Sequence, residues 1–222
     1  IDLIYGMPQL TNKMWIENLK KVEQLKVPHL SAYTLTIEPK TALFYQRKIG
    51  KLTPLKDETV IEQFKLLIDY TKTIGLQHYE VSNFGKKGYY SQHNSNYWKG
   101  ADYLGFGPSA HSFFHEKRYW NVSNNNKYIK ALENDTSYYE EEEIDEITAY
   151  NEYILTRLRT IWGIDINYIK QQFNPQIGAH FFSELKNYIN SSYLQQNNET
   201  ITLTNEGFFI VDKITSDLFY IS

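Results

Sequence analysis

Residues 1–37, IDLIYGMPQLTNKMWIENLKKVEQLKVPHLSAYTLTI, decide the fold, because two apolar segments flank one helical segment in close succession. The first apolar segment stops at Gly6 and a nearby proline, which is typical of a strand buried on both faces of a parallel sheet. Thr11 is a favourable helix N-cap, and apolar residues then recur at helical spacing up to Pro28. Residues 29–37 alternate as a strand does. The stretch therefore predicts a βα unit followed by a second strand.

The next part of the sequence repeats this order. Residues 38–53 are predicted to form a loop, and residues 57–73 an amphipathic helix that ends before Gly75. Residues 76–84 are predicted to be the third strand. Strands that alternate with helices call for parallel pairing through right-handed crossovers, with ligand groups at the carboxyl ends of the strands. Because nothing precedes the first strand, we expect an upstream portion of the protein to be missing from this sequence.

The sequence changes character from about Tyr119. The acidic run at 140–146, EEEEIDE, is interpreted as the solvated first turns of a helix that continues through ITAYNEYILTRLRTI. The tail predicts two helices, a strand and an apolar helix, an order that resembles a winged-helix arrangement, at residues 166–173, 178–191, 199–204 and 205–219. Because the tail offers no basic recognition helix, DNA binding is not predicted.

Composition narrows the class of protein. A net charge of -3 and a pI near 6.1 argue against nucleic acid as a partner, since phosphate affinity depends on clustered cations. No stretch approaches the roughly 20 apolar residues of a membrane helix, and no leader precedes the first strand, so a cytoplasmic protein without an integral membrane segment is expected. The absence of cysteine excludes disulfides, thiolate nucleophiles and cysteine-bound clusters held by this chain alone.

Residues that can do chemistry concentrate between His78 and Ser112, which include three of the six histidines. Aromatic rings beside amides, imidazoles and glycine turns are what a pocket for a large planar ligand requires. In the segment HNSNYW the imidazole of His93 could bind iron while Tyr97 and Trp98 stack on a flat ring. On residue types alone, a buried, hydrogen-bonded structural histidine is the favoured interpretation of His93.

Polar residues elsewhere leave alternatives open. Asp2, at the start of a predicted buried strand, could accept hydrogen bonds from a ribose or be neutralised by a neighbouring base. Residues 79–83 end a strand with polar side chains, where barrel sites are built, or form a capping network for the next loop. His111 follows a glycine-rich turn that lets a ligand approach the backbone. No catalytic residue is predicted, because no triad order, P-loop or HExxH helix is present.

Five short motifs stand in a fixed order: IDLIYGMP, LSAYTLTIEPKT, HYEVSNF, HNSNYW and YLGFGPSAHS. In this order and at these spacings they resemble the C-terminal part of the HemW family. HemW proteins are radical SAM haem chaperones, also described as oxygen-independent coproporphyrinogen III oxidase-like proteins. The resemblance covers essentially the whole chain. It implies an α/β fold: residues 1–116 as the C-terminal part of a radical SAM partial (β/α) barrel, and residues 117–222 as a small, mostly helical, winged-helix-like domain.

The resemblance also implies cofactors. In the family an upstream CxxxCxxC motif holds a [4Fe-4S] cluster to which S-adenosylmethionine (SAM) binds, so the cluster ligands are absent from this chain. Asp2, Thr36 and His111 fall where SAM-contacting residues lie. One departure is visible, since the chain reads GMPQLT where the family usually reads GLPGQT, which places Gln9 and Leu10 at a Gly-Gln pair.

HNSNYW matches the HNxxYW motif that distinguishes the haem chaperones from the true oxidases. The match implies His93 as the haem iron ligand, with Asn94, Tyr97 and Trp98 as haem contacts. The implied function is to bind haem and deliver it to a haem-accepting protein. The alternative is an oxygen-independent coproporphyrinogen III oxidase, a SAM-dependent enzyme of porphyrin biosynthesis. A third reading is that this fragment alone is inactive, and its open barrel edge favours a homodimer.

Overall fold

The computed structural model describes residues 1–189 and 191–221, which fold around three separate sheets. The first part of the chain contains β1 (Asp2–Tyr5), α1 (Asn12–Leu25), β2 (His29–Thr34), α2 (Ala42–Lys48), α3 (Asp57–Thr73), β3 (Gln77–Glu80), β4 (Asn83–Gly85) and α4 (Gln92–Lys99). The middle part contains β5 (His111–Phe114), β6 (Lys117–Asn121), α5 (Asn125–Glu133) and β7 (Tyr139–Glu143). The last part contains α6 (Glu146–Leu158), β8 (Ile164–Asp165), α7 (Ile166–Gln172), α8 (Pro175–Ile189), β9 (Leu194–Asn197), β10 (Thr200–Leu203), a 3-10 helix (Gly207–Ile210) and α9 (Val211–Leu218). None of the helices described in these two ranges is long and apolar enough to cross a membrane.

The first sheet has the strand order β1-β2-β4-β3. β1 and β2 are parallel, as predicted, and the helix α1 between them begins at its predicted N-cap, Thr11. The single strand predicted for residues 76–84 is wrong. The chain turns after β3, and β4 returns antiparallel between β2 and β3. The turn is fixed because Ser82 sits beside β2, where its carbonyl accepts a 2.7 Å hydrogen bond from the Ala32 amide.

The two faces of this sheet differ in chemistry. Leu30, Phe84 and Tyr5 share the face that α1 and α3 cover, where they pack against Trp15, Leu19, Phe64 and Leu67. The opposite face, called the inner face below, carries the register partners Asp2, Ser31 and Asn83. This alternation is the normal period of a strand that is covered on one side only. The helices therefore leave the polar side of the sheet available for function.

The prediction that the first strand is buried on both faces is wrong. β1 is the edge of the first sheet, Asp2 is exposed and Ile4 is half exposed. The apolar run IDLIY cannot reveal this, because burial depends on which strands and helices surround it. Within this chain Asp2 is therefore an exposed carboxylate.

The second sheet, β5-β6-β7, corrects the interpretation of the acidic run. Residues 139–143 are an exposed edge strand rather than the first turns of a helix, and α6 begins only at Glu146. The neighbouring strand β6 is basic, so Lys117 pairs with two glutamates of β7 and Arg118 with a third. Opposite charges directly across a ladder stabilise strand pairing. The domain boundary expected between residues 116 and 117 falls at the β5–β6 turn, and the division into two domains stays a prediction.

The last part of the chain has the predicted winged-helix order with two additions. The additions are strands β8 and β9, which were not predicted and which pair with β10 on its two sides. The single apolar helix predicted at 205–219 is instead a 3-10 helix followed by α9. The helix predicted at 178–191 is α8, with residue 190 outside the described residues. α2 lies within the segment predicted to be loop. The elements of this region pack around a hydrophobic core of their own, which includes Ile154, Phe181 and Ile214.

The 3-10 helix attaches the last part of the chain to the first sheet. Phe208 lies 4.5 Å from the ring of His78, and Phe209 lies 5.2 Å from the ring of Phe64. On its other side His78 stacks on Phe84 at 4.4 Å. Burial among these rings lowers the pKa of His78 from 6.5 to about 4, against the hydrogen bond from Nε2–H to the Val81 carbonyl. His78 is thus a neutral part of this junction at physiological pH.

We predict that His78 makes the protein less stable as the pH falls from about 6.5 to 4. In this window the unfolded chain binds a proton at His78 and the folded chain does not. Protonation therefore stabilises the unfolded chain and lowers the free energy of unfolding. The pKa difference between 6.5 and about 4 corresponds to roughly 3 kcal/mol, at about 1.4 kcal/mol per unit.

Urea unfolding of the full-length protein at a series of pH values measures this loss. His78→Gln is expected to flatten the pH dependence by roughly that amount, whereas His111→Gln, at an exposed position, keeps it. An unchanged slope in His78→Gln would contradict the assignment.

Candidate functional site

The segment HNSNYW folds as the short helix α4. Ser91 caps it by accepting a 3.2 Å hydrogen bond from the Asn94 amide. Gly100 ends it in the left-handed region at φ 70°, which glycine adopts without strain. With 3.6 residues per turn, His93 and Tyr97 fall on one side of α4 and are exposed. Ser95 is buried and Trp98 partly buried, so the motif is divided between a solvent side and a side that anchors the helix.

His93 is exposed, so the interpretation of it as a buried structural histidine is wrong. Its ring meets the ring of Tyr97 edge-on at 4.8 Å, and Tyr97 in turn lies 4.6 Å from Tyr103. Within residues 1–189 and 191–221 the imidazole nitrogens have no hydrogen-bond partner. The structure therefore presents an accessible imidazole at one end of a row of aromatic rings.

The hydroxyl of Tyr79 anchors the start of α4. It accepts a 3.1 Å hydrogen bond from the Ser91 amide and lies 2.8 Å from Nε2 of His29. Burial lowers the pKa of His29, which favours a neutral ring whose Nε2 accepts the Tyr79 proton. The ring of Tyr79 also stacks on Tyr90 at 4.3 Å. Strand β3 thus fixes where the helix begins.

Glu80 anchors the other end of α4. The amide of Asn83 donates to its carboxylate, and the indole of Trp98 is a further hydrogen-bonding partner. Burial raises the pKa of Glu80, and these hydrogen bonds oppose that effect. Oδ1 of Asn83, itself buried on the inner face, has no partner among the described residues. The motifs HYEVSNF and HNSNYW therefore form one connected network.

A cleft of about 590 Å³ opens beside the end of α4. This volume is within the roughly 300–1,000 Å³ of typical ligand pockets. Three parts of the chain line it: α4 and the loop after it, the β5–β6 hairpin, and helices α6 and α7. The tyrosine, phenylalanine and tryptophan side chains that line it are Tyr97, Trp98, Tyr103, Phe113, Tyr153, Tyr168 and Phe173.

The predicted haem contacts are distributed around this cleft. Tyr97 and Trp98 line it, and His93 lies outside the lining, next to the ring of Tyr97. Asn94 is partly buried, and its backbone amide is bound by the Ser91 cap. Four residues predicted from one motif thus lie on one helix, three of them in or beside the same cleft.

The predicted SAM contacts are not brought together. Asp2 is at the amino end of β1, level with Ser31 of β2, whereas Thr36 is exposed beyond the opposite, carboxyl end of β2. His111 begins β5 in a different sheet, where it lines a separate small cleft with Trp120 and other residues. The three side chains do not form a shared site in this part of the chain.

Comparison with known proteins agrees with these features. Residues 144–210 match the family model of the HemN C-terminal domain. The chain is 28% identical to the haem chaperone HemW of Lactococcus lactis, across 94% of this chain and 55% of that protein. It is 26% identical to HemW of Bacillus subtilis, across 96% of this chain and 57% of that protein. The resemblance to HemW is confirmed.

The fold of this chain also resembles that of a solved structure. The coproporphyrinogen III oxidase HemN of Escherichia coli, described as a radical SAM enzyme, superposes with a TM-score of 0.75 over 99% of this chain and 54% of that one. At 19% identity this likeness concerns the fold alone, and it confirms the predicted α/β fold class. The chain spans about half the length of the HemW proteins it matches.

The side of the cleft formed by α6 and α7 was not predicted from the sequence. Tyr153, Arg157 and Phe173 lie more than 50 residues from HNSNYW along the chain. Tyr153 and Arg157 recur at helical spacing in a segment typical of ordinary packing, and Phe173 follows the last residue of α7, so no local signal marks them. The contact of Tyr79 with His29 was missed for the same reason, since 50 residues separate the two.

We predict that Tyr79→Phe destabilises the protein by about 1–3 kcal/mol, because the Ser91 amide and His29 both lose a partner in a buried setting. Urea unfolding measures the loss, and hydrogen exchange should show faster exchange at the first turn of α4. The matched variant Tyr89→Phe, at a position 60% exposed, is expected to change stability by less than about 0.5 kcal/mol. Equal effects of the two variants would contradict the anchoring role.

Proposed function

We propose that the protein containing this chain is a HemW-like haem chaperone, which binds haem through His93 and delivers it to a haem-accepting protein. One observation carries the proposal: the histidine of an HNxxYW motif is solvent-accessible on α4 and contacts Tyr97, which lines an aromatic cleft. Neutral imidazole is a common axial ligand of haem iron, and stacked aromatic rings suit a porphyrin face. The similarity to HemW proteins over nearly the whole chain supports the same function.

The rigid mounting of α4 supports this role for His93. Tyr79 holds the first turn of the helix and Glu80 holds Trp98 near its end. A ligand residue works best when the element that carries it is fixed by its neighbours. His93 itself has no hydrogen-bond partner among residues 1–189 and 191–221, so a nitrogen lone pair of its ring is available to a metal.

SAM is proposed as a cofactor of the whole protein, and the inner face of the first sheet fits part of it. Asp2 presents an exposed carboxylate there, and Asn83 presents a buried acceptor without a partner in the described ranges. Both suit the hydroxyl or amino donors of a nucleoside. Bound SAM would supply the sulfonium chemistry of radical SAM proteins. Thr36 and His111 remain proposed contacts that this face does not include.

The residues of this chain do not fit a [4Fe-4S] cluster, because the sequence contains no cysteine to supply thiolate ligands. We propose that the cluster is held by a part of the protein outside this sequence.

We predict that His93→Ala in the full-length protein abolishes stoichiometric haem binding, since the iron loses its axial ligand. Titration with haem, followed at the Soret band, measures the loss. Because His93 is exposed, the variant should keep its free energy of unfolding within about 0.5 kcal/mol.

His111→Ala, titrated without SAM, is the matched control, because it removes another exposed histidine outside the aromatic cleft and should bind haem as the wild type does. Transfer of haem from the wild-type protein to an apo-haem protein tests delivery. Wild-type haem binding by His93→Ala would remove the assignment.

The alternative function is an oxygen-independent coproporphyrinogen III oxidase, and the likeness of fold to HemN favours considering it. The cluster-loaded, full-length protein is expected not to convert coproporphyrinogen III to protoporphyrinogen IX under anaerobic conditions with SAM. Product analysis by chromatography decides the matter. Turnover would support the enzyme, whereas haem transfer without turnover would support the chaperone.

A further inference from the structure

The cleft beside α4 contains an arrangement of charges that the HNxxYW motif does not account for. Among its basic side chains, Arg118 is already neutralised, since it pairs with Glu142 and Glu152. Of the acidic side chains, Glu152 is held by this arginine, and Glu146 accepts hydrogen bonds from the backbone and side chain of Asn174. Asp102 and Glu116 are exposed at the rim. Lys99, also exposed, and the partly buried Arg157 are the basic side chains of the lining that form no ion pair within the described residues.

These two cations lie over aromatic rings. Nζ of Lys99 lies over the ring of Trp162 at 4.8 Å, and the guanidinium group of Arg157 lies over Tyr153 at 5.6 Å. Neither has a carboxylate partner within the described parts of the chain. A cation resting on an aromatic face is held in position and keeps its hydrogen-bond donors available.

The proposed iron ligand lies next to the lining of the cleft. His93 touches Tyr97 edge-on, and Tyr97 is part of the cleft lining that Lys99 and Arg157 share. Lys99 follows Tyr97 by two residues, whereas Arg157 reaches the cleft from α6, which packs against α4. A planar ligand bound at His93 can thus extend over Tyr97 between the two cations.

We propose that haem bound at His93 lies in this cleft and that Arg157 and Lys99 each bind one of its two propionates. This inference rests on the proposed function and adds residues that the sequence motif does not contain. Two carboxylates on one edge of a flat, apolar ring match two cations that have no carboxylate partner in the described part of the chain and lie at the wall of an aromatic cleft. Charge-assisted hydrogen bonds of this kind are the stronger class in proteins. The cleft thereby selects a porphyrin that carries free propionates.

The test compares haem with haem dimethyl ester, in which both propionates are neutral, by titration of the full-length protein. Arg157→Gln and Lys99→Gln are each expected to weaken haem binding about tenfold, as the loss of one charge-assisted pair predicts. Binding of the ester should be the same in wild type and variants. At saturating haem the Soret maximum should stay at its wild-type position, because His93 is intact.

The control variants remove comparable cations outside the cleft. Lys170→Gln removes an ammonium group that lies over Phe182 at 5.6 Å, and Arg47→Gln removes an exposed guanidinium group of α2. Both should bind haem as tightly as the wild type. Weakening by these controls as large as that of the cleft variants would assign the effect to overall charge and overturn the proposal.

The remaining outcomes distinguish failure of the propionate contacts from failure of the proposed haem binding at His93. Wild-type haem affinity in Arg157→Gln and Lys99→Gln would overturn the propionate contacts while haem binding at His93 stands. Equal weakening of haem and ester binding would also overturn them, since the lost contact would not involve a propionate. A wild-type protein that fails to bind haem would overturn both.

Discussion

The structure depends on the end of strand β3, where Tyr79 and Glu80 join three parts of the chain. The hydroxyl of Tyr79 binds His29 of β2 and the first turn of α4. The backbone carbonyl of Tyr79 accepts a 3.0 Å hydrogen bond from the amide of Ile161, just after α6. Glu80 pairs with Thr160 in an isolated bridge. Two adjacent residues thus tie together the sheet, the motif helix and the C-terminal helices.

This junction explains how a short helix becomes a usable binding element. A helix of eight residues has little stability of its own, because nucleation is costly and few turns repay it. Here buried hydrogen bonds at both ends supply what length does not. Removal of any one partner would destabilise the protein, because the polar group left behind would be buried without a hydrogen bond. The same rigidity leaves His93 free on the outer side of the helix.

The C-terminal part of the chain contributes to the site as well as to stability. Its 3-10 helix packs Phe208 and Phe209 against His78 and Phe64 on the helix-covered side of the sheet. On the other side of the junction, α6 and α7 close the cleft beside α4. The cleft therefore exists only when both parts are in place, and its proposed ligand would bridge them.

The sequence by itself determined the helices α1 and α3, the parallel pairing of β1 with β2 and the resemblance to HemW, because periodicity, capping residues and contiguous motifs are local properties. Only the tertiary structure decided that Asp2 is exposed, that β4 runs antiparallel and that the acidic run is an edge strand beside basic β6. These depend on which segments become neighbours. For the same reason the motif identified His93 and Tyr97, whereas Arg157 reached the site through packing of a helix about 60 residues away.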